Sequence, residues 1–393
     1  MLLAAPRVGL AEVLRRHGPA YLAAHPLSVA KARVWRAILA CRTAALGGQV
    51  QTCDACGTTR HVYHSCRNRH CPLCQTRAKE AWLTARQREV LPVPYFHLVF
   101  TLPHDLNGLI GQCPRALYEM LFGAVSGTLT EFAANPRWLG GVPAFSLVLH
   151  TWKQDLGRHV HVHALMPGGA LKANGDWVAA KRGFLFPIEA LSQVFRGKFV
   201  AALKAARQGG KLRAEQAPLT EAAWGALLAR LYEHDWVVYA KHSLGGPAQV
   251  LDYLGRYTHR VAISNERILG MDADTVRLRV RDSAHGKRRR TLSVPAQTFI
   301  ERFLLHVLPK GFKRIRHYGL LGPAAKAVKL AQARAALSAP APDPVVVESV
   351  DAFMRRIDRL DWMRCTHCGN GQFVPTASIV PAPLRLLHLR GPP

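Results

Sequence analysis

Acidic residues are scarce in this chain: 25 Asp and Glu stand against 53 Lys and Arg in 393 residues, a formal net charge of +28. A catalytic site of three carboxylates around two metal ions is therefore disfavoured, and Asp155 and Asp252 read as outer or solvated groups. Long apolar runs are missing as well. No stretch approaches the roughly 18 residues of a membrane helix, and the apolar run in MLLAAPRVGLAEVLRR is too short for a secretory leader. The expected place of work is the bacterial cytoplasm, at the nucleoid, with no membrane partner and no small-molecule substrate. A disulfide framework is also excluded, because the nine cysteines are odd in number and cluster in C-x-x-C pairs, which in a cytosolic chain points to metal.

What is abundant is positive charge on a chain that can still bury a core. Hydrophobic residues make up 49% of the sequence, which excludes a disordered basic tail, and the excess charge calls for a polyanionic partner. Ribosomal or histone-like binders are usually shorter, with less core, so an enzyme acting on nucleic acid fits better.

Apolar spacing predicts two short helices within 8–46, broken at Pro19 and Pro26, then a cysteine-rich loop segment over 50–77 and a helix near 78–90. YFHLVFTL (95–102), FSLVLHTW (145–152) and HVHALM (161–166) read as strands, with helices over 105–134, 187–208 and 219–234. VRLRVRD and RRTLSV flank a basic hairpin tip, SAHGKR, and SAPAPDPVVV (338–347) is a Pro-rich linker. The order predicts an α+β chain in three parts: a helical and zinc-binding domain over 1–90, a catalytic domain over 91–337, and a linker and tail over 338–393.

Cys53-x-x-Cys56 and Cys71-x-x-Cys74 each make a turn that aims two thiolates at one ion, and together they complete a tetrahedral structural Zn²⁺ site. His61, His64, Cys66 and His70 lie between the pairs and could permute the ligand set or hold a second ion. Cys365-x-x-Cys368 supplies only half a site, in a tail that could be dispensable. Around the zinc segment, Arg67 and Arg69 present charge suited to phosphates.

In RHVHVHAL, the residues His159, His161 and His163 alternate, so a strand puts all three imidazoles on one face, where they could hold a divalent ion. Downstream, Tyr253 and Tyr257 lie four apart in a helical pattern and share a face. Two such phenols could act in succession as nucleophiles if a metal polarised a phosphate and nearby cations such as Arg256, Arg260 or Lys241 favoured phenolate. A pair of aromatic core residues is the plainer reading of the tyrosines alone; the histidines tip the balance.

HVHVHALMPGG, DYLGRYTHRVAISN, the upstream SCRNRHCPLCQ and the downstream LPKGFKRIRHYGLLG together resemble the rolling-circle insertion-sequence transposases of the IS ninety-one (IS91) family. That resemblance covers about 50–325. It implies a histidine-hydrophobic-histidine nuclease core: a central antiparallel sheet with flanking helices. It further implies that His161 and His163 are paired ligands of a catalytic Mg²⁺ or Mn²⁺, that Tyr253 and Tyr257 are nucleophiles, and that the substrate is single-stranded DNA at transposon ends and target. The expected product is a 5′-phosphotyrosine and a free 3′-hydroxyl, with no nucleotide cofactor. Val160 replaces the family's usual proline, leaving His159 as a third ligand or an outer group. His97, Gln249 and His259 are other candidates for a third ligand. The segments 279–290 and KGFKRIR, with Lys313, Arg314 and Arg316, are expected phosphate contacts. Tyr318, Trp152 and Trp236 could stack bases or pack in the core. A zinc-dependent DNA-binding regulator, or an inactive transposase copy, is the alternative reading; a regulator would leave His161, His163, Tyr253 and Tyr257 unused.

Overall fold

A computed structural model of the chain describes residues 8–74, 76–181, 183–212, 220–242, 262–281, 288–342 and 362–382, with isolated positions between. It opens with two helices, α1 (Leu10–Ala24) and α2 (Val29–Ala40), a hairpin of β1 (Gly48–Cys53) and β2 (Thr59–Tyr63), and α3 (Thr76–Gln87). There follow β3 (Tyr95–Thr101), α4 (Asn107–Gln112), α5 (Pro114–Ala134), β4 (Val142–Trp152), β5 (Arg158–Pro167), β6 (Gly169–Leu171) and β7 (Trp177–Ala179). Next come α6 (Ile188–Gln208), α7 (Glu221–Glu233), β8 (Val238–His242), β9 (Ile268–Met271), β10 (Thr275–Arg281) and β11 (Arg289–Pro295). The chain continues through α8 (Ala296–Leu304), β12 (Ile315–Gly319) and α9 (Lys326–Ala336) to β13 (Phe373–Ile379).

The architecture is α+β, with three sheets among the described residues. The largest runs β7-β6-β4-β5-β3-β8, with β12 joined to β4, and every recorded pairing is antiparallel. Its period of two sorts side chains by face. Phe96, Leu98 and Phe100 of β3, Phe145, Leu147 and Leu149 of β4, and Val160, Val162, Ala164 and Met166 of β5 are all buried in one cluster with α5, α6 and α7. Phe100, fully buried, meets Phe195 of α6 edge to face, with ring centroids 5.2 Å apart. The opposite face carries the histidines.

A second core joins residues far apart in sequence. Leu10, Val13 and Leu14 of α1 and Trp35 and Ile38 of α2 pack with Val276, Leu278 and Val280 of β10 and Phe299 and Phe303 of α8. The opening helices thus share a core with 262–304, which a boundary at residue 90 would divide.

Four features differ from the sequence expectation. The cysteine-rich segment over 50–77, expected as loop, holds most of the β1–β2 hairpin, closed by the antiparallel register of Gly48 with Tyr63 through Thr52 with Thr59. Pro19 does not break the first helix, which runs from Leu10 to Ala24 through it. The ring is exposed, while its neighbour Gly18 lies against Trp35, where a Cβ would come within 2.5 Å of the indole. Burial of Leu14, His17 and Tyr21 on that face outweighs the one lost hydrogen bond. The helix expected over 105–134 is divided at Cys113, because Pro114 begins α5 at a first-turn position where its missing N–H costs nothing. Finally, the tail returns to the start of the chain: β13 pairs antiparallel with β1, Cys53 opposite Phe373.

Replacing Phe100 with Ala should lower stability by about 3–5 kcal/mol, the usual cost of emptying a closed aromatic site. Urea denaturation checks this; a loss below about 1 kcal/mol would mean that the two sides of this core do not depend on the ring.

Candidate active site and cysteine clusters

The pairings of β3, β4 and β5 determine which histidines meet. His163 lies opposite Val99 on β3 and Val148 on β4, while His161 lies opposite Thr101 and His150. Residues directly opposite in an antiparallel ladder point to the same face, so His150, His161 and His163 converge. Their ligating nitrogens lie within 4.8 Å of one another, close enough to share one ion. Sequence reasoning missed His150, a lone histidine in the apolar run FSLVLHTW; only the register across two strands brings it to the site.

Hydrogen bonds constrain the tautomers. His161 Nδ1 is 3.0 Å from the carbonyl oxygen of His159, which can only accept, so Nδ1 carries the proton and Nε2 keeps a lone pair for a metal. His163 Nδ1 is 2.8 Å from His97 Nε2, in rings stacked at 5.0 Å, so His97 orients His163 from the neighbouring strand. Trp152 stacks on His150 at 4.5 Å. His159 sits nearer the rim, its Nδ1 3.2 Å from His104 Nε2, outside the converging three.

Burial holds these rings neutral. It lowers His161 and His97 to about 4, and it puts His150 and His163 well below the ordinary range, aided at His150 by the neighbouring His163 and His161. Neutral imidazole is the ligating form.

Other groups close the same face. Leu83 of α3 packs with Tyr95, Leu165 of β5 and Leu251. Leu165 is two residues beyond His163 and therefore on the histidine side. Leu251 and Gly255 are helical positions, and a Cβ at Gly255 would come within 2.7 Å of the Leu83 side chain. Leu251 and Gly255 thus lie against Leu83, which packs with Leu165 on the histidine side of the sheet. Tyr253, Tyr257, Arg256, Arg260 and His259 lie outside the described residues; Gln249 is a helical, exposed position. At the same level of the sheet, where Ser146 pairs with Leu165, Arg86 of α3 donates to His317 Nε2 at 2.7 Å, and His317 Nδ1 meets Ser146 Oγ at 2.8 Å.

A cleft of about 280 Å³ is lined by Trp152, the residue stacked on His150, and by Arg279, Arg281 and Arg289 among others. Strand β10 buries Val276, Leu278 and Val280 and exposes Arg277, Arg279 and Arg281, so its outer face is a row of guanidinium groups. Lys313 and Arg67 are also exposed. Three of the expected phosphate contacts are also engaged within the fold. Arg314 is buried; Arg69 donates to the Phe312 carbonyl at 2.7 Å; and Arg316 grips Glu119 with two bonds of 2.6 and 2.7 Å while covering Phe122. A dense run of cations does not reveal which of them have internal partners. Trp236 is core, packed by Phe195 and Phe199, and Tyr318 stacks on Phe145.

The cysteines form two clusters, and the pairs Cys53/Cys56 and Cys71/Cys74 do not meet. Cys71 and Cys74 gather with Cys41 and Cys66; Cys53 and Cys56 gather with Cys365 and Cys368. The reason is local: β1 ends at Cys53 and turns back along β2, carrying its pair away, whereas Cys41 closes α2 and reaches Cys74 with Sγ atoms 3.2 Å apart. Cys66 Sγ is 3.5 Å from that of Cys74. A zinc tetrahedron with bonds of about 2.3 Å has sulfur–sulfur edges near 3.8 Å, so a slight expansion admits the ion. Bonds from Cys41, Cys66 and Cys71 draw Cys74 strongly towards thiolate, while the same crowding pushes Cys71 and Cys66 up. A cation at the centre resolves that conflict. The matching signal in sequence is the glycine: Cys53-x-x-Cys56-Gly57 and Cys365-x-x-Cys368-Gly369 share it, and Cys71-x-x-Cys74 does not.

The buried imidazoles make stability depend on pH. Each binds a proton more tightly in the unfolded chain, near 6.5, than in the fold, so stability is lost as pH falls from about 6.5 towards 4. His161 alone contributes on the order of 3 kcal/mol of that loss by about pH 4. The denaturation midpoint of the metal-free chain should be level above about pH 7 and fall steeply below 6; a level profile down to 4 would contradict neutral burial.

Comparison with known proteins agrees with this organisation. The family described as "Transposase zinc-binding domain" matches residues 13–102, and that described as "Putative transposase" matches 144–329, which includes β4, β5 and β12. The chain is 45% identical to the "Putative transposase y4qJ" of Sinorhizobium fredii over 93% of its own length and 94% of the relative's. It is 28% identical to the transposase for insertion sequence element IS801 of Pseudomonas savastanoi pv. phaseolicola, over 87% and 82% of the two chains. A zinc-binding opening segment followed by a transposase core, matched over nearly the whole of a relative, makes this chain a member of the IS91-type transposase family.

Proposed function

We propose that this transposase cuts and rejoins single-stranded DNA at insertion-sequence ends through a 5′-phosphotyrosine link. The observation that carries the reading is the convergence of His150, His161 and His163 on the sheet face that also carries Leu165, which packs with Leu251; Tyr253 and Tyr257 follow Leu251 by two and six residues in sequence. His161 and His163 hold a divalent ion, with His150 as the third ligand; when bound, the ion polarises the scissile phosphate. The resemblance to the family implies Mg²⁺ or Mn²⁺; three imidazole donors alone would also suit Zn²⁺, so the choice rests on the family.

The remaining work belongs to the chain. One tyrosine Oη attacks phosphorus and loses its proton to solvent or a neighbouring base; the bond from phosphorus to the 3′-oxygen breaks, and that oxygen leaves as a hydroxyl. The phosphodiester bond energy is kept in the link, so a 3′-hydroxyl on another strand can reverse the step, and a second tyrosine permits relay. His97 keeps His163 in position. The guanidinium row of β10 and the cleft beside Trp152 give the unpaired strand a basic path to the histidines. Structural zinc in the Cys41, Cys66, Cys71 and Cys74 cluster fastens α2 to the loop leading into α3, which itself covers the histidine face.

Purified protein incubated with single-stranded element-end DNA and Mn²⁺ should give an adduct that survives denaturing gels and maps to Tyr253 or Tyr257. EDTA or His161→Ala should reduce its yield at least about 100-fold, as for loss of a metal ligand, and Tyr253→Phe with Tyr257→Phe should abolish it while DNA binding persists. Binding without an adduct across end sequences would favour a regulator or inactive copy.

A further inference from the structure

The cluster formed by Cys53, Cys56, Cys365 and Cys368 joins β1 to a tail that lies outside both matched families. Its two halves have the same build. Gly57 and Gly369 each follow the second cysteine with φ of 71°, and each donates its N–H to the carbonyl of the first cysteine at 3.0 Å. These are two matching knuckles, the arrangement that aims a pair of thiolates at one ion in zinc ribbons. They face each other: Cys53 Sγ is 3.7 Å from Cys368 Sγ, and Cys56 Sγ is 3.7 Å from Cys365 Sγ. A disulfide would need about 2.05 Å. Tetrahedral zinc needs edges of about 3.8 Å, which these contacts already match.

The surroundings are built for such a site. Gly371 donates to Cys368 Sγ at 3.4 Å, and a Cβ there would strike Cys53 Sγ at 2.5 Å. Asp54 and Gln372 exchange two bonds, of 3.0 and 2.8 Å, that lock one knuckle to the other. Yet the sheet β13-β1-β2 has almost no apolar core. Its buried cluster is Cys53, Cys365 and Phe373, and β13 is mostly exposed. A module with so little to bury needs a staple.

We infer that Cys53, Cys56, Cys365 and Cys368 form a second, separate zinc site that clasps the C-terminal tail onto the N-terminal hairpin. The tail is thereby part of the head of the protein. The site is independent of the catalytic reading and of the Cys41 cluster.

Metal content of the full-length chain, read by mass spectrometry, tests this. Cys365→Ser with Cys368→Ser should lose one zinc per chain and raise amide exchange over 373–379, while the β4–β5 ladder stays protected. Cys41→Ser with Cys66→Ser should lose a different zinc and leave exchange over 373–379 unchanged. Zinc content untouched by the Cys365→Ser and Cys368→Ser pair would overturn the inference. Should that variant fail to fold, Cys365→His keeps four ligands: the zinc count should hold, and the cobalt-substituted protein should absorb at higher energy as nitrogen replaces sulfur. An unshifted cobalt spectrum would equally overturn it.

Discussion

The antiparallel register of β3, β4 and β5 is the constraint on which the site depends. With a repeat of two residues, it sends Val160, Val162 and Ala164 into the helical core and His159, His161 and His163 to the other side. A slip by one residue would bury imidazoles among phenylalanines and expose the valines. The core therefore protects the geometry of the chemistry. Phe100, Leu149 and Val162 need never approach DNA to keep His150, His161 and His163 together.

Around this sheet the chain is tied by contacts between distant segments. Helices α1 and α2 share a core with β10 and α8; α3 lies over the histidine face through Leu83 and Arg86; and β13 returns to β1. The two cysteine clusters stand at the ends of these connections: one where α2 meets the loop before α3, the other where the tail meets the opening hairpin. Thiolate clusters fit such places, because a metal supplies a strong, compact tie where little apolar surface is available. The segment that matches the zinc-binding family thus reaches the histidine face of the sheet through α3.

Local patterns were legible in the sequence, and pairings across it were not. Alternation in HVHVHAL located β5 and its histidine face, and the strands near 95, 145 and 161 appear where residue type and spacing put them. His150 and Cys41 carried no local signal, because each becomes a candidate ligand only through a partner on another element. Cys53/Cys56 and Cys71/Cys74 satisfied the spacing rule yet went to different clusters; nearness in sequence misled where a hairpin turns one pair away. Pro19 carries a local break signal, but burial of the face around Tyr21 outweighs a missing donor on the solvent side. The sequence marks Arg314 and Arg316 as cations without showing that one is buried and the other paired with Glu119.

Electron spin echo spectroscopy of Mn²⁺ bound to the full-length protein tests the histidine site most directly, since it counts the nitrogen ligands on the ion. The account predicts coupling to three imidazoles in the wild type and to two after His150→Ala, with the ion still bound. Coupling unchanged by His150→Ala, or an ion bound without imidazole nitrogen, would contradict it.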